Sequence, residues 1–163
     1  IDGCPGMARP YGEFSPMQTF SRQKRVSFEE IPCFIEGSGE EETAAIEALA
    51  SQLSHRVYRL SSEARKYLHL SAVFACNFVN HCYAISAELL EKHGIPFDVM
   101  LPLIDETAAK VHQMAPKDAQ TGPAVRYDEN IIRNQSQLLR NNPLVKDIYD
   151  RMSMNIHRLS EEV

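Results

Sequence analysis

The sequence has no glycine-rich phosphate cradle. G-x-G-x-x-G is absent, and so are the P-loop, G-x-S-x-G and H-E-x-x-H. A catalytic site built wholly from these residues would therefore be unusual. Tryptophan is missing altogether. Positive charge is not in excess: the formal net charge is -5, which argues against a general nucleic-acid binder. No apolar run reaches the roughly 20 residues that a membrane-spanning helix needs. No secretory or lipidation signal is present. Cysteine is scarce, and Cys4, Cys33, Cys76 and Cys82 lack metal-ligand spacing, so no metal site is expected. Isolated among apolar neighbours, they read as reduced packing residues of a cytoplasmic protein.

What is present is organised around one stretch, Ser62 to Gly94. Ser61 or Ser62 can cap a helix here, and Glu63 sits in its first turn. Lys92 and His93 occupy the last turn, with Gly94 past the end and Pro96 beyond. No glycine or proline intervenes, which predicts a helix on the order of 45 Å long. Leu68, Ala72, Phe74, Ala75, Phe78, Val79, Cys82, Ile85 and Leu89 cover most of its circumference, the pattern of a core helix. One stripe differs. Lys66, His69, Val73, Asn77, Asn80 and Ala84 fall within about a quarter of the circle. Polar groups on an otherwise apolar helix need partners. Either neighbouring backbone satisfies them, or the stripe lines a cleft and holds a ligand. In the second case His69 is the group able to exchange a proton near neutral pH. Lys66, one turn earlier, is the alternative acid, and Asn77 and Asn80 orient a carbonyl or hydroxyl.

The first 12 residues have a loop composition. Glu13 to Phe20 reads as a short strand interrupted at Pro16, and Ser21 to Val26 as a basic surface loop. Ile31 to Glu36 is a buried-strand candidate. Ser38 and Glu41 match a capping box ahead of a helix over Thr43 to Leu53. Arg56 to Leu60 returns to a strand pattern. Strand, helix, strand with short connections is the unit of a parallel sheet, here the far edge of a larger α/β domain. The opening Ile1-Asp2-Gly3-Cys4 reads as mid-protein sequence, so a preceding segment is expected. After Gly94 the pattern is helical. A helix is predicted over Phe97 to Met114, which Pro102 either kinks or begins. A loop follows over Ala115 to Tyr127, then a helix over Glu129 to Arg140 capped by Asp128. Asn141-Asn142-Pro143 breaks it, and a last helix runs from Leu144 to about Leu159.

The loop Gln120 to Asp128 admits two readings. In one, glycine and proline set a turn, Asp128 caps the next helix and Arg126 pairs with Asp128. In the other, Thr121, Arg126 and Asp128 are substrate-side residues, with the guanidinium gripping a carboxylate or phosphate.

The segments SPMQTFS (Ser15 to Ser21), LHLSAVFACNFVNH (Leu68 to His81), LPLIDET (Leu101 to Thr107) and QTGPAVRYDEN (Gln120 to Asn130) occur in that order. Together they resemble the family that joins a Rossmann-like dinucleotide-binding domain to a helical C-terminal domain of unknown function. That family is similar to pyrroline-5-carboxylate reductase and the β-hydroxyacid dehydrogenases. Its helical domain is of the dimer-forming class typified by the C-terminal domain of 6-phosphogluconate dehydrogenase. The resemblance implies an α/β plus all-α chain: residues 1–60 as the last part of the Rossmann-like domain, and 61–163 as a helical dimerisation and substrate domain. It implies that the nucleotide-binding glycines lie upstream. It places Ser15, Pro16, Met17 and Gln18 on the cofactor side, and gives Lys66, His69 and Asn77 the proton-donating or substrate-orienting part. Where the family more often has glycine before the aspartate of the last motif, this chain has Tyr127. The activity implied is that of an NADP- or NAD-dependent oxidoreductase acting on a small carbonyl, imine or hydroxy compound, working as a homodimer. The alternative is a non-catalytic dinucleotide-binding sensor or scaffold dimer.

Overall fold

The strand around Cys33 is formed by alternation. Cys33 and Ile35 point inward and are fully buried, while Phe34 between them is only half-buried and stacks on Tyr58. The computed structural model describes residues 10–20 and 25–162. The expected loop before Pro10, Cys4, and residues 21–24 of the expected basic loop lie outside them.

The chain divides into two units, Ile1–Phe78 and Val79–Val163. In the first, β1 (Gly12–Pro16), β2 (Cys33–Gly37) and β3 (Val57–Arg59) form a 3-stranded sheet in the order β1-β2-β3. β1 runs antiparallel to β2, with Glu13 opposite Glu36 and Pro16 opposite Cys33. Proline has no N–H to give to a ladder, and the strand ends on it. β2 and β3 are parallel and joined through α1 (Glu40–Ala50), so the expected strand-helix-strand unit is present. The small core here is Ile31, Cys33, Ile35 and Ala50. Ser54, also buried, donates to the Ile31 carbonyl at 2.6 Å and accepts from the Arg56 N–H at 3.0 Å. A polar side chain is thereby satisfied at the point where β3 is laid against β2.

The expected capping box does not form. Gly39 occupies the cap position of α1 with no side-chain bond, and the Ser38 hydroxyl accepts the Tyr11 N–H instead. The first turn relies on its carboxylates, Glu40, Glu41 and Glu42, at the positive end of the dipole.

Ser61 caps α2 (Ser62–Ala72), accepting from the Ala64 N–H at 3.3 Å. The helical run is then interrupted in kind. Val73–Phe78 is a π-helical turn, and α-helix resumes as α3 (Val79–Glu91). Gly94 ends the run with φ +68°, and the Ile95 N–H reaches back to the Leu90 carbonyl at 3.1 Å. A left-handed residue after the last turn with a bond back across it is the expected glycine stop. The expected core helix is a different matter. No residue of α2, the π turn or α3 is buried, and Phe74 and Phe78 are 60% and 49% exposed. The apolar girdle is real, but the described residues do not cover it.

The second unit is helical. A 3₁₀ turn (Phe97–Met100) leads into α4 (Leu101–Lys110), with Pro102 in its first turn, where a missing N–H costs nothing. Residues 115–127 form turns. Asp128 caps α5 (Glu129–Leu138), and Asn142 caps α6 (Pro143–Glu161). Among the described residues no helix is long and apolar enough to cross a membrane.

Candidate functional site

A cleft of roughly 540 Å³ opens in the first unit. One wall is the end of β1 and the residues after it: Ser15, Pro16, Met17, Gln18 and Thr19. The other is helical: Arg65, Leu68, His69, Ala72, Ala75, Cys76 and Asn77. The four cofactor-side candidates thus lie together, and His69 and Asn77 face them. The first wall is held by its backbone. The Met17 N–H donates to the Pro32 carbonyl at 2.8 Å, which carries the pairing one step past Pro16. The Ser15 hydroxyl donates to Glu13 Oε1 at 3.3 Å, and Gln18 Oε1 accepts the Thr19 N–H at 2.8 Å.

The helical wall is fixed by an ion cluster. Arg65 Nη2 bonds Glu36 Oε2, and Nη1 meets Glu13 Oε2 as an ion pair off the hydrogen-bond line. Its side chain is 13% exposed. The Ser62 hydroxyl donates to Glu36 Oε2 at 2.6 Å and accepts from Arg65 Nη2 at 3.1 Å. The Ser62 bond foremost, and the Arg65 charge after it, hold the Glu36 carboxyl below its ordinary range. One guanidinium thus ties the first turn of α2 to both β1 and β2. Its charge is spent on two carboxylates, so it supports the cleft rather than offering a free cation to it.

Lys66 does not line the cleft. Arg65, Leu68, His69, Ala72 and Cys76 follow the i, i+3, i+4, i+7, i+11 spacing of one helix face, and Lys66 is turned about 100° from Arg65. The stripe drawn from the sequence was centred to the wrong side of His69. Cys76 is a second correction: it is exposed in the cleft wall rather than packed, whereas Cys33 is buried, and burial pushes its thiol up. Thr19, Arg65 and Cys76 are polar lining residues that sequence reasoning missed, the last two being helical neighbours of His69. Their spacing from His69 was the available signal.

The remaining candidates belong to the second unit. Asn80 is exposed in the first turn of α3. Thr121 lines a cleft of roughly 460 Å³ beside α4, with Thr107, Lys110 and Gln120 among its neighbours. The Asp128 carboxylate accepts the Ile131 N–H at 3.3 Å, so its structural role is the cap. Among the described residues the Arg126–Asp128 ion pair does not form, and Arg126 is exposed. The next residue, Tyr127, takes φ +49° and stacks on His157. A left-handed backbone is where glycine is at home, and it accounts for the glycine that the resembling family favours there.

The chain is similar to a Bacteroides fragilis protein of known structure named a putative NADP oxidoreductase. Identity is 58% over 94% of this chain and 60% of that one, with a TM-score of 0.88. It is also similar in fold to a Thermotoga maritima protein of known structure, at 21% identity over 93% of this chain and 62% of that one, with a TM-score of 0.77. The chain therefore spans about three-fifths of the length of either. No curated protein matches it. With the small mixed sheet followed by helices, these likenesses fit the edge of a Rossmann-like domain joined to a helical one. A family described as a domain of unknown function (DUF2520) matches over residues 31–156, and the chain belongs to that family.

Proposed function

We propose that this chain is part of an NADP(H)-dependent oxidoreductase acting on a small carbonyl, imine or hydroxy compound. The observation that carries the proposal is the cleft where Ser15, Pro16, Met17 and Gln18 meet His69 and Asn77. These residues come from two separate motifs, and a shared cleft is what a cofactor-and-substrate site requires. The name of the Bacteroides fragilis relative supports the same reading. In this reading residues 1–60 close a Rossmann-like domain and 61–163 form a helical domain of the 6-phosphogluconate dehydrogenase C-terminal class. The relation to pyrroline-5-carboxylate reductase and the β-hydroxyacid dehydrogenases belongs to the same proposal.

The cleft residues fit the nicotinamide end of such a cofactor. Pro16, Met17, Leu68 and Ala72 offer apolar walls to a flat ring, and Ser15, Gln18 and Asn77 carry hydrogen-bonding groups for a carboxamide or a substrate. The nicotinamide supplies or accepts a hydride when bound. His69 moves the accompanying proton at the substrate oxygen or nitrogen. Asn77 orients that atom, and the apolar wall excludes water from it. Asn80 of α3, and Thr121 and Arg126 of the loop that Asp128 closes by capping α5, are carried as substrate-side candidates of the second unit, Arg126 because its guanidinium suits an acidic group. Lys66 is given no part.

The exposed apolar surface supports a homodimer. Tyr67, Phe74, Leu103, Leu138 and Leu144 are 60 to 82% exposed. Apolar side chains left open in such number are the kind of surface that association covers, and a second copy is the partner proposed here.

The full-length protein, mixed with NADPH and a panel of keto acids, imines and aldehydes, tests the reading. Oxidation of NADPH by one class is expected, reduced by about 100-fold or more in His69→Ala and unchanged in Lys66→Ala. Tight NADPH binding with no oxidation across the panel would make the protein a sensor or scaffold instead. Absence of binding would end the proposal.

A further inference from the structure

We infer that the π-helical turn Val73–Phe78 is the device that puts Asn77 on the same line as His69, facing one substrate atom. The inference rests on the oxidoreductase reading of the cleft and deepens it. It concerns how the site is aimed, not whether there is one.

Asn77 lies eight residues after His69, and in a regular α-helix, at about 100° each, it would stand about 80° round from it. That direction leads away from the face occupied by Arg65, Leu68, Ala72 and Cys76. Yet Asn77 lines the cleft along with His69. A turn bonded i to i+5 rather than i to i+4 takes up roughly one extra residue, about 100° of rotation, before α-helix resumes. By Asn77, near the end of the turn, most of that lag has accumulated. The sum brings Asn77 back to within about 20° of His69. The widened turn is therefore not a general loosening of the helix. It converts an off-axis asparagine into a group opposite the β1 wall, while α3 resumes in the phase set by one residue fewer.

The geometry also explains why the turn sits where it does. Upstream, α2 is pinned by the Arg65 cluster to β1 and β2, so its phase cannot drift. The adjustment falls after the last pinned turn and before α3. Nothing in VFACNF forces it: the segment holds no glycine or proline, and Phe74 and Phe78 keep an edge-to-face contact across it, ring centroids 4.9 Å apart. A π turn is less favourable than α-helix, so an unforced one reads as retained for what it positions.

Two single-residue deletions in the full-length protein decide the matter. Deleting Val73 or deleting Val79, neither of which lines the cleft, removes the same surplus residue and lets the run become regular α-helix. Only the second rotates Asn77 off the His69 line. Deleting Val73 leaves Asn77 seven residues from His69, about 20° away, whereas deleting Val79 leaves it eight residues and about 80° away. Both variants should fold, with helical circular dichroism and a melting midpoint at or above the parent's. The Val73 deletion should keep kcat/KM within about threefold, and the Val79 deletion should lose about 10- to 100-fold, as much as Asn77→Ala. Equal kinetics in the two deletions would overturn the inference while leaving the oxidoreductase reading intact. A parent protein that neither binds nor oxidises NADPH would overturn that reading, and this inference with it. Crystal structures of the deletions give a readout free of turnover: Asn77 still lining the cleft after loss of Val79 would refute the angular argument directly.

Discussion

Tyr127 and His157 lie ring on ring, centroids 4.1 Å apart and planes 18° from parallel. The contact joins the turn before α5 to the last turns of α6. It also has a cost, because Tyr127 holds φ +49°. A side chain in the left-handed region costs on the order of 1 kcal/mol or more, and an aromatic pair returns about 0.5–1.5 kcal/mol. The two effects nearly cancel, which separates two substitutions. Tyr127→Ala keeps the strain and loses the stack, and should destabilise by about 1–2 kcal/mol. Tyr127→Gly loses both and should fall within about 1 kcal/mol of the parent. Urea titration of the two variants measures the difference. A glycine variant as unstable as the alanine one would show that the backbone carries no strain there.

The Arg65 cluster predicts an acid-side loss of stability. The Glu36 carboxyl is held low in the folded protein, first by Ser62 and then by Arg65. A depressed carboxyl contributes fully above its unfolded value near 4.5, and the contribution fades as pH falls through the folded value. The melting midpoint should therefore drop below about pH 4.5, and the drop should be smaller in Ser62→Ala, which removes the foremost cause. Arg65→Ala should be worse at neutral pH, by about 2 kcal/mol, since it leaves Glu13 and Glu36 facing each other across β1 and β2. Identical acid profiles for the parent and Ser62→Ala would remove Ser62 from the account.

Local signals were legible because each acts within a turn or two. Pro16 ended its strand, Ser61 and Asp128 capped their helices, Gly94 closed the long run and Pro102 opened another. The strand-helix-strand unit followed from alternation and periodicity alone. Three features were not legible. The capping box failed because Ser38 had a competing donor, the Tyr11 N–H, just before β1 and far away in sequence. The choice of Lys66 over Arg65 turned on one residue of helical phase, which the carboxylates of Glu13 and Glu36 decide through tertiary contact. The π turn has no punctuation in VFACNF, so a constant angle per residue was carried through it. Burial misled for a related reason: apolar periodicity says which faces want cover, not whether the same chain supplies it.

Gly37 marks a place where the backbone of α1 closes on the sheet. A Cβ there would stand 2.5 Å from the Thr43 nitrogen and 2.9 Å from the Glu42 carbonyl carbon, both backbone atoms. Neither can swing aside without moving the first turn of α1, whose Thr43 hydroxyl is already bonded to the Gly39 carbonyl at 2.7 Å. Gly37→Ala should therefore destabilise by about 2–3 kcal/mol, the range for overpacking against unyielding neighbours. Gly94→Ala meets no atom within 4 Å and suffers only its positive φ, so it should cost about 1 kcal/mol. Chemical denaturation of the pair orders them. If the Gly94 variant proved the less stable, backbone conformation rather than close approach would be the dominant constraint.

The aromatic stripe of α2 and the π turn gives the homodimer its sharpest test. Tyr67, Leu70, Phe74 and Phe78 recur at helical spacing and are each 49 to 68% exposed. None of them lines the cleft wall formed by Arg65, Leu68, His69, Ala72, Ala75, Cys76 and Asn77. A charge placed on the stripe should therefore act on association and leave the cleft alone. Phe74→Lys would have to bury an unpaired ammonium if a second copy packs there, at a cost of several kcal/mol per interface, enough to shift a dimer to monomer at micromolar concentration. Sedimentation velocity should show the full-length protein as a dimer and the variant as a monomer. His69→Lys, a charge on the opposite face, should remain dimeric. A variant at Phe74 that sediments as the parent does would place the second copy on the second unit instead, against surfaces such as Leu103 or Leu138.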